Sequence, residues 1–149
     1  MLQIDRVVNA DRDNYDLVCH FDGGCNNKTH SNAYGSYRIR NKNLSFHPRV
    51  FTYKYPDVNT SNEAEYEAMK YLLRAILSHF ISKGWVGKIL VIGDSALVVN
   101  QLSGIWKVSS PNLASPHKEC SGLLKMIREK AVVNLMWVPR TEIVEVLGH

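Results

Sequence analysis

The fold is decided by a short stretch near the N-terminus, Tyr15-Asp16-Leu17-Val18-Cys19-His20-Phe21-Asp22-Gly23-Gly24. Apolar side chains recur at every second position, which predicts a β-strand over Tyr15–Phe21 with Leu17, Cys19 and Phe21 on one face. Val18, His20 and Asp22 share the other face. Residues 22–27 are rich in Gly and Asn and predict a turn. An acid therefore stands where a buried strand is expected to end.

Two further strands are expected directly after this one. They cover Ala33–Arg40 and Val50–Tyr55, and in the second of them aromatic side chains alternate in a way that suits one face of a sheet. Since the three strands are consecutive and their connections are short, they predict an antiparallel meander.

The rest of the chain switches between helical and strand patterns. Apolar residues from Ala64 to Ile81 recur at helical spacing, and Ser61 or Asn62 is expected to cap this helix. After it we expect a strand at Lys88–Gly93, a helix at Ser95–Leu102 that ends at Gly104, a helix at about Lys118–Lys130 whose start is bracketed by Pro111 and Pro116, a strand at Val132–Val138 and a short helix capped by Thr141. The order β-β-β-α-β-α-α-β-α predicts an α/β fold with a five-stranded mixed sheet flanked by helices.

Length and composition indicate one domain. The 149 residues, 45% of them hydrophobic, suffice for a single core over residues 1–149, with residues 1–14 as a loose leader. No apolar run is long enough to cross a membrane, and the polar N-terminus does not have the pattern of a signal peptide. Three cysteines without the spacing of a zinc site indicate free thiols and a cytoplasmic protein. The formal net charge of +4 permits a polyanionic partner without requiring one.

Three carboxylates stand at places that a structural role alone explains poorly. Asp22 ends the first strand, Asp94 ends the fourth, and Glu65 lies beside the apolar stripe of the first long helix. Taken singly, they could be a turn residue, a helix cap and half of an ion pair. Brought together, they would repel one another unless a divalent cation neutralised them, and Mg²⁺ and Mn²⁺ prefer such oxygen ligands. The combination predicts a metal site.

Four segments together resemble the ribonuclease HI family, in particular its short branch, which lacks a basic protrusion. They are Phe21-Asp22-Gly23-Gly24, Asn62-Glu63-Ala64-Glu65-Tyr66-Glu67-Ala68, Gly93-Asp94-Ser95-Ala96-Leu97-Val98-Val99-Asn100-Gln101 and Trp137-Val138-Pro139-Arg140. The resemblance covers nearly the whole chain from Tyr15 onwards. It implies an endoribonuclease that uses two divalent ions, Mg²⁺ or Mn²⁺, to hydrolyse the RNA strand of RNA–DNA hybrids, leaving a 5′-phosphate and a 3′-hydroxyl.

The resemblance also implies roles for individual residues. Asp22, Glu65 and Asp94 match the family's metal-binding catalytic acids. Asn62 and the turn that includes Gly23, Gly24, Cys25 and Asn26 match family positions that meet the hybrid. Trp106 and Lys107 are expected to meet the DNA strand by stacking and charge, Arg140 to contact a phosphate, and Ser95 to contact the substrate. Trp106 has an alternative interpretation as a core residue, and Arg140 as a surface cation. The expected partner is an RNA–DNA hybrid, read by its groove shape and 2′-hydroxyls rather than by base sequence, and the expected state is a monomer.

The family's fourth acid, an aspartate on the last helix, is missing. A gapless match places Leu147 there, and leucine cannot bind a metal. A shift of two residues places His149 there instead, so we expect His149 to be the fourth ligand or acid–base group, with Glu145 as the alternative. The missing acid leaves two other functions open. One is a different nuclease on the same fold, although proofreading exonucleases usually carry an acid where Gly24 stands. The other is a degenerate domain that binds nucleic acid without cutting it.

Overall fold

The computed structural model describes residues 6–7, 11–25, 32–45 and 47–149. Its strands are β1 (Arg6–Val7), β2 (Leu17–Cys25), β3 (Ala33–Asn41), β4 (Val50–Tyr55), β5 (Lys88–Gly93) and β6 (Val132–Trp137). Its α-helices are α1 (Ser61–His79), α2 (Ala96–Leu102), α3 (Pro111–Arg128) and α4 (Arg140–Leu147). Single turns of 3-10 helix cover Arg12–Asn14 and Ile81–Lys83.

The strands form one mixed sheet in the order β1-β6-β5-β2-β3-β4. The pairs β2–β3 and β3–β4 are antiparallel, as the meander predicts, whereas β2–β5, β5–β6 and β1–β6 are parallel. The predicted element order is confirmed, but the predicted count of five strands is wrong by one. The additional strand, Arg6–Val7, lies within the expected leader and pairs with Leu135 and Met136 of β6. Two residues are too few to show a strand pattern in the sequence.

The sheet buries a different core on each face. Leu17, Cys19 and Phe21 of β2 belong to the larger cluster, which α1 and α3 cover. Val18 packs into a smaller cluster that includes Ile143 and Leu147 of α4. The alternation in the opening stretch is therefore confirmed, and α1 and α4 lie on opposite faces of the same strand.

The strand that carries Asp22 is longer than predicted. The pairing of β2 with β3 continues from Asp22 opposite Ser36 to Cys25 opposite Ala33, so the predicted turn is wrong for residues 22–25. Residues 26–27 lie outside the described part of the chain. Backbone hydrogen bonds to β3 extend the strand through two glycines, which a propensity argument would not place there.

Three helix starts also differ from their predictions. The cap of α1 is Thr60, whose side chain accepts a hydrogen bond from the Glu63 amide, rather than Ser61 or Asn62. Helix α3 begins at Pro111, and Pro116 lies inside it. Burial of one face holds this helix together across the proline; the buried side chains are Leu113, Cys120, Leu124 and Ile127. Helix α4 begins at Arg140, so Thr141 is its second residue and not its cap.

Two expectations drawn from composition concern membranes and thiols. Among the helices of the described residues, none has the length and apolarity that crossing a membrane would require. Cys19, Cys25 and Cys120 are all free thiols.

Candidate active site

The three predicted acids meet at one edge of the sheet. Asp22 lies in β2 and is completely buried, Asp94 follows β5 directly, and Glu65 reaches over from the second turn of α1. One carboxylate oxygen from each lies within 4.8 Å of the others. Because β2 and β5 are parallel neighbours, their carboxyl ends meet at this edge, which is where ligand sites form in such sheets.

Gly23 allows α1 to approach β2 closely enough to bring Glu65 to the edge. A Cβ atom at residue 23 would lie 2.3 Å from the Ala64 carbonyl oxygen and 2.5 Å from the Glu65 amide nitrogen, both of them backbone atoms. The Gly23 amide also donates a hydrogen bond to Oε2 of Glu65 at 3.1 Å. The glycine after Asp22 therefore serves close packing of a helix on a strand.

Burial and mutual repulsion make ionisation of this cluster costly. Burial, and then the charge of Asp94, raises the pKa of Asp22 to about 7, although Arg140 opposes the shift. Burial, followed by the charges of Asp22 and Asp94, raises the pKa of Glu65 to about 9. Both carboxylate oxygens of Asp22 are buried without a hydrogen bond. A buried cluster in which Asp22 and Glu65 resist ionisation and Asp22 lacks a hydrogen-bond donor fits a divalent cation, which would neutralise the acids and fill their coordination.

His149 lies beside this cluster, and Glu145 does not. His149 Nδ1 is 3.3 Å from Oδ2 of Asp22, and Nε2 is hydrogen-bonded to the Ser36 hydroxyl. The ring packs edge-on against Tyr34 with centroids 5.0 Å apart. Burial and the charge of Arg140 lower the pKa of His149, which favours the neutral imidazole. Glu145 is exposed and lines a separate groove. This placement agrees with the choice of His149, whose role as a ligand stays a prediction.

Arg140 brings a positive charge close to the acids. Its Nη1 is 3.1 Å from Oδ2 of Asp94 and 3.7 Å from Oδ1 of Asp22, while 58% of its side chain is exposed. It starts α4, so the helix that leads to His149 also brings a cation to the rim of the cluster. A guanidinium here can pair with a carboxylate or with a phosphate.

The other predicted substrate contacts are spread along the same edge. Gly24 and Cys25 end β2, and Asn62 is exposed on the first turn of α1. Ser95 caps α2, its side chain accepting a hydrogen bond from the Val98 amide. Asn26 lies outside the described residues. These positions remain predictions as contacts.

Trp106 and Lys107 lie farther along the chain, between α2 and α3. The indole of Trp106 is 47% exposed, so its interpretation as a core residue does not hold. The backbone carbonyl of Lys107 accepts a hydrogen bond from the Gln101 side chain. Trp106 and Lys107 line the same open depression. An exposed ring beside a cation is suited to a nucleic-acid strand.

Two residues near the cluster were not identified by the sequence analysis. Ser36 lies opposite Asp22 in the β2–β3 pair, and its hydroxyl holds His149. Tyr34, two residues earlier on β3, packs against the same ring. Only the register of β3 against β2 would have indicated either residue, and that register cannot be derived from the sequence pattern alone.

Comparison with known proteins identifies relatives along most of the chain. The family model described as reverse transcriptase-like matches residues 20–146. The bifunctional protein Rv2228c of Mycobacterium tuberculosis is 37% identical over 81 residues, which cover 54% of this chain and 20% of that protein. The match therefore spans about a fifth of the length of this curated relative.

Solved structures of similar fold align with most of this chain, and the alignments also span most of each solved chain. The N-terminal RNase H domain of Rv2228c is 25% identical with a TM-score of 0.68, over 89% of this chain and 88% of that one. RNase H1 of Halobacterium salinarum is 24% identical with a TM-score of 0.65, over 85% and 87%. LC11-RNase H1, solved in complex with an RNA/DNA hybrid, is 20% identical with a TM-score of 0.71, over 87% and 90%.

Proposed function

The chain belongs to the reverse transcriptase-like family and has the ribonuclease H fold, and on this premise we propose that it hydrolyses the RNA strand of RNA–DNA hybrids. One observation carries the proposal, namely the meeting of Asp22, Glu65 and Asp94 within 4.8 Å at the carboxyl edge of the sheet. A similar domain has been solved with an RNA/DNA hybrid bound, which supports this substrate class.

Asp22, Glu65 and Asp94 would hold two divalent cations, Mg²⁺ or Mn²⁺. Such ions supply positive charge that stabilises the phosphate as negative charge builds up on it during hydrolysis. Asp22 faces this task without a competing hydrogen bond, because both of its carboxylate oxygens lack a donor. Glu65 keeps one, from the Gly23 amide, which fixes the orientation of its carboxylate.

In the proposed reaction, water attacks the phosphorus and the bond from phosphorus to the 3′ oxygen of the preceding nucleotide breaks. One proton of the water ends on that oxygen, so the products are a 5′-phosphate and a 3′-hydroxyl. His149 stands where a proton can be accepted or a fourth ligand supplied, since its Nδ1 lies 3.3 Å from Oδ2 of Asp22 and its lowered pKa favours the neutral ring. The Ser36 hydroxyl orients that ring.

Substrate selection is assigned to the residues along the same edge. In this proposal Gly24, Cys25 and Asn62 meet the RNA strand, and Trp106 with Lys107 meets the DNA strand. Arg140 is placed to contact a phosphate, since its guanidinium already lies beside two carboxylates and is more than half exposed. Recognition by backbone and 2′-hydroxyl contacts would depend on helix shape and not on base sequence.

The test compares substrates of one sequence. Labelled RNA is presented as a hybrid with DNA, as a duplex with RNA and as a single strand, each with Mg²⁺, with Mn²⁺ and with EDTA. We expect cleavage of the RNA in the hybrid alone, abolished by EDTA. Cleavage of single-stranded RNA at a similar rate contradicts hybrid specificity, and tight binding of the hybrid without any cleavage indicates a degenerate binding domain.

A further inference from the structure

A second charged feature lies on the face of the sheet that α4 covers. It is a groove of about 600 Å³ whose cationic side chains are Arg12, Arg38, Arg40 and Lys42, and we call it the basic groove. None of the three clustered acids lines it. Since β3 is an interior strand, with β4 beyond it, these arginines are not the solvated edge of a sheet.

The basic groove begins directly beside the acid cluster. Along β3, Ser36 lies opposite Asp22, Arg38 opposite His20 and Arg40 opposite Val18. Paired residues share a face, and alternate residues of a strand are about 7 Å apart. The groove therefore leads away from the contact between Ser36 and His149, along β3 towards the N-terminal end of β2.

Two of its cations have no counter-charge. The Arg12 guanidinium is paired with Glu142, and the Lys42 ammonium is 3.5 Å from Asp16. By contrast, no carboxylate pairs with Arg38 or Arg40 among the residues that the structure describes. Nε of Arg38 is buried without a hydrogen bond, and burial, together with the charge of Arg40, lowers the pKa of Arg38. A guanidinium in this condition favours an anion beside it.

His20 forms the floor between these arginines and α4. It is only 2% exposed, its Nε2 is 2.8 Å from Oε2 of Glu142, and its Nδ1 is buried without a partner. The groove thus contains a second buried polar atom that a ligand could satisfy. This observation is independent of the unpaired arginines.

The size and the charge of the groove define its occupant. A volume of about 600 Å³ is in the range of small-ligand sites and is too small to enclose a duplex. Guanidinium groups match phosphate oxygens in geometry and charge. We propose that Arg38 and Arg40 bind phosphates of a single-stranded nucleic-acid segment that continues from a hybrid held at the acid cluster. This assignment rests on the proposed function for the identity of the substrate.

The opposite wall limits how strongly a strand can bind. It carries Asp13 and Glu145, whereas Glu142 is already neutralised by Arg12. Tyr15 lines the groove but is only 6% exposed, so none of the described residues that line it offers a free ring for a base to stack on. Binding should therefore be electrostatic, independent of sequence and sensitive to salt.

The test measures affinity without turnover. Fluorescence anisotropy in EDTA compares a blunt RNA–DNA hybrid with the same hybrid carrying a single-stranded extension on either strand. The double variant Arg38→Gln/Arg40→Gln should lose about tenfold in affinity for an extended hybrid and little for the blunt one. Its plot of log affinity against log salt should be shallower by about 1.4, because two single-strand phosphate contacts at about 0.7 each are lost.

Three further variants control for folding and for charge. Arg40→Gln changes an exposed residue and should lose part of the same affinity without affecting the melting temperature. Lys125→Gln/Lys130→Gln removes the same charge from the exposed end of α3, near the opposite edge of the sheet, and should change neither affinity. Glu145→Gln should increase affinity for the extended hybrid.

Equal losses for blunt and extended hybrids, or no loss in the double arginine variant, would overturn the assignment. If the wild-type protein cuts the blunt hybrid but the double arginine variant loses no affinity specific to the extension, the proposed function stands and the role of the basic groove is refuted. Conversely, extension-dependent binding in a protein that never cuts a hybrid would sustain the groove and refute the ribonuclease.

Discussion

At the scale of single residues, Asp22 shows how the site trades stability for function. A completely buried carboxylate without hydrogen bonds is one of the costliest groups a core can contain. Its neighbours Glu65 and Asp94 add repulsion rather than relief. Only a cation beside it turns this arrangement into a favourable one, so the same atoms that destabilise the metal-free protein define the binding site.

The pH dependence of stability follows from this cluster. In EDTA, the folded-state pKa values of Asp22 and Glu65, about 7 and about 9, lie above their ordinary values of 3.8 and 4.5. The folded state therefore binds more protons than the unfolded state between about pH 4 and about pH 9, and the free energy of unfolding falls as the pH rises through that window. Thermal unfolding across this pH range measures the effect.

Asp22→Asn and Glu65→Gln should each flatten that decline and raise the melting temperature in EDTA, whereas Glu129→Gln, at an exposed acid directly after α3, should not. With Mn²⁺ added, the order of the melting temperatures should reverse, so that the wild-type protein melts at a higher temperature than either variant. Stability that rises with pH in EDTA is incompatible with this electrostatic description of the cluster.

His149 should determine which metal the protein prefers. Imidazole suits Mn²⁺ better than Mg²⁺, so wild-type activity should be higher with Mn²⁺. His149→Ala should lower activity on the order of tenfold to a hundredfold, the loss typical of a displaced metal-site partner. His149→Asp should shift the preference towards Mg²⁺, because it supplies an oxygen ligand. Initial rates in both metals measure this.

Glu145→Ala is the matched comparison, because Glu145 is exposed and lies away from the acids. It should lose much less activity than His149→Ala. The reverse order would give the fourth position to Glu145, and full activity in both variants would mean that three acids suffice.

At the scale of elements, the site depends on how closely α1 packs on β2. Gly23→Ala would place a methyl group 2.3 Å from a backbone carbonyl, so the helix or the strand must move. We expect the free energy of unfolding to fall by about 2 kcal/mol, as in other overpacked cores, and activity to fall further because Glu65 moves with the helix.

Gly122→Ala provides the control, since nothing lies within 4 Å of a Cβ atom at that position of α3. It should stabilise the protein by about 0.5–1 kcal/mol, because alanine is the better helix former. Denaturant unfolding of both variants measures the difference. An active, fully stable Gly23→Ala protein would contradict the close approach.

The carboxylate of Glu142 adds polar contacts that hold helix α4, beside the apolar packing of Ile143 and Leu147. Nη1 and Nη2 of Arg12 lie 2.6 and 2.8 Å from the two oxygens of Glu142, and Nε2 of His20 lies 2.8 Å from one of them. Burial acts against the ionised Glu142, but its hydrogen bonds to Arg12 and His20 outweigh that effect and lower its pKa. This clamp holds the helix that carries Arg140 and leads to His149.

Arg12→Ala should therefore cost only about 1 kcal/mol of stability, since the ion pair is partly exposed, yet reduce activity by more than that loss explains. Arg12→Lys should restore activity only in part, because an ammonium cannot bridge both oxygens. Hydrogen exchange at the α4 amides reports the loosening directly. Unchanged exchange in Arg12→Ala would show that the clamp does not position this helix.

The elements show which parts of the fold could be predicted from sequence. The face assignment of Leu17, Cys19 and Phe21 follows from alternation alone, and it is confirmed. The start of α3 could not be obtained in this way, because Pro116 argues locally for a break, while burial of Leu113 and Cys120 on either side of it favours a continuous helix. Tertiary packing outweighed local propensity there.

At the scale of the whole molecule, the meeting of the acids could be predicted from the sequence where topology determines position. Asp22 lies in β2 and Asp94 directly follows β5, its parallel neighbour, so the order of the strands in the sheet brings these two acids together. Ser36 and Tyr34 could not be found in this way, since their nearness to His149 depends on the register of β2 against β3 and on where the chain after α4 turns back. The unpaired charge of Arg38 and Arg40 in the basic groove likewise became visible only from the ion pairs that the described residues form.

The central claim is that the acid cluster at this edge cuts the RNA of an RNA–DNA hybrid. Its most direct test is a time course of RNA cleavage in a labelled hybrid by the wild-type protein and by Asp94→Asn, purified identically, with Mg²⁺ or Mn²⁺. We predict fragments with 5′-phosphate ends from the wild type, none in EDTA, and a rate at least about a thousandfold lower for a correctly folded Asp94→Asn variant. Equal rates for the two proteins, or an intact hybrid after prolonged incubation with the wild type in both metals, would contradict the claim.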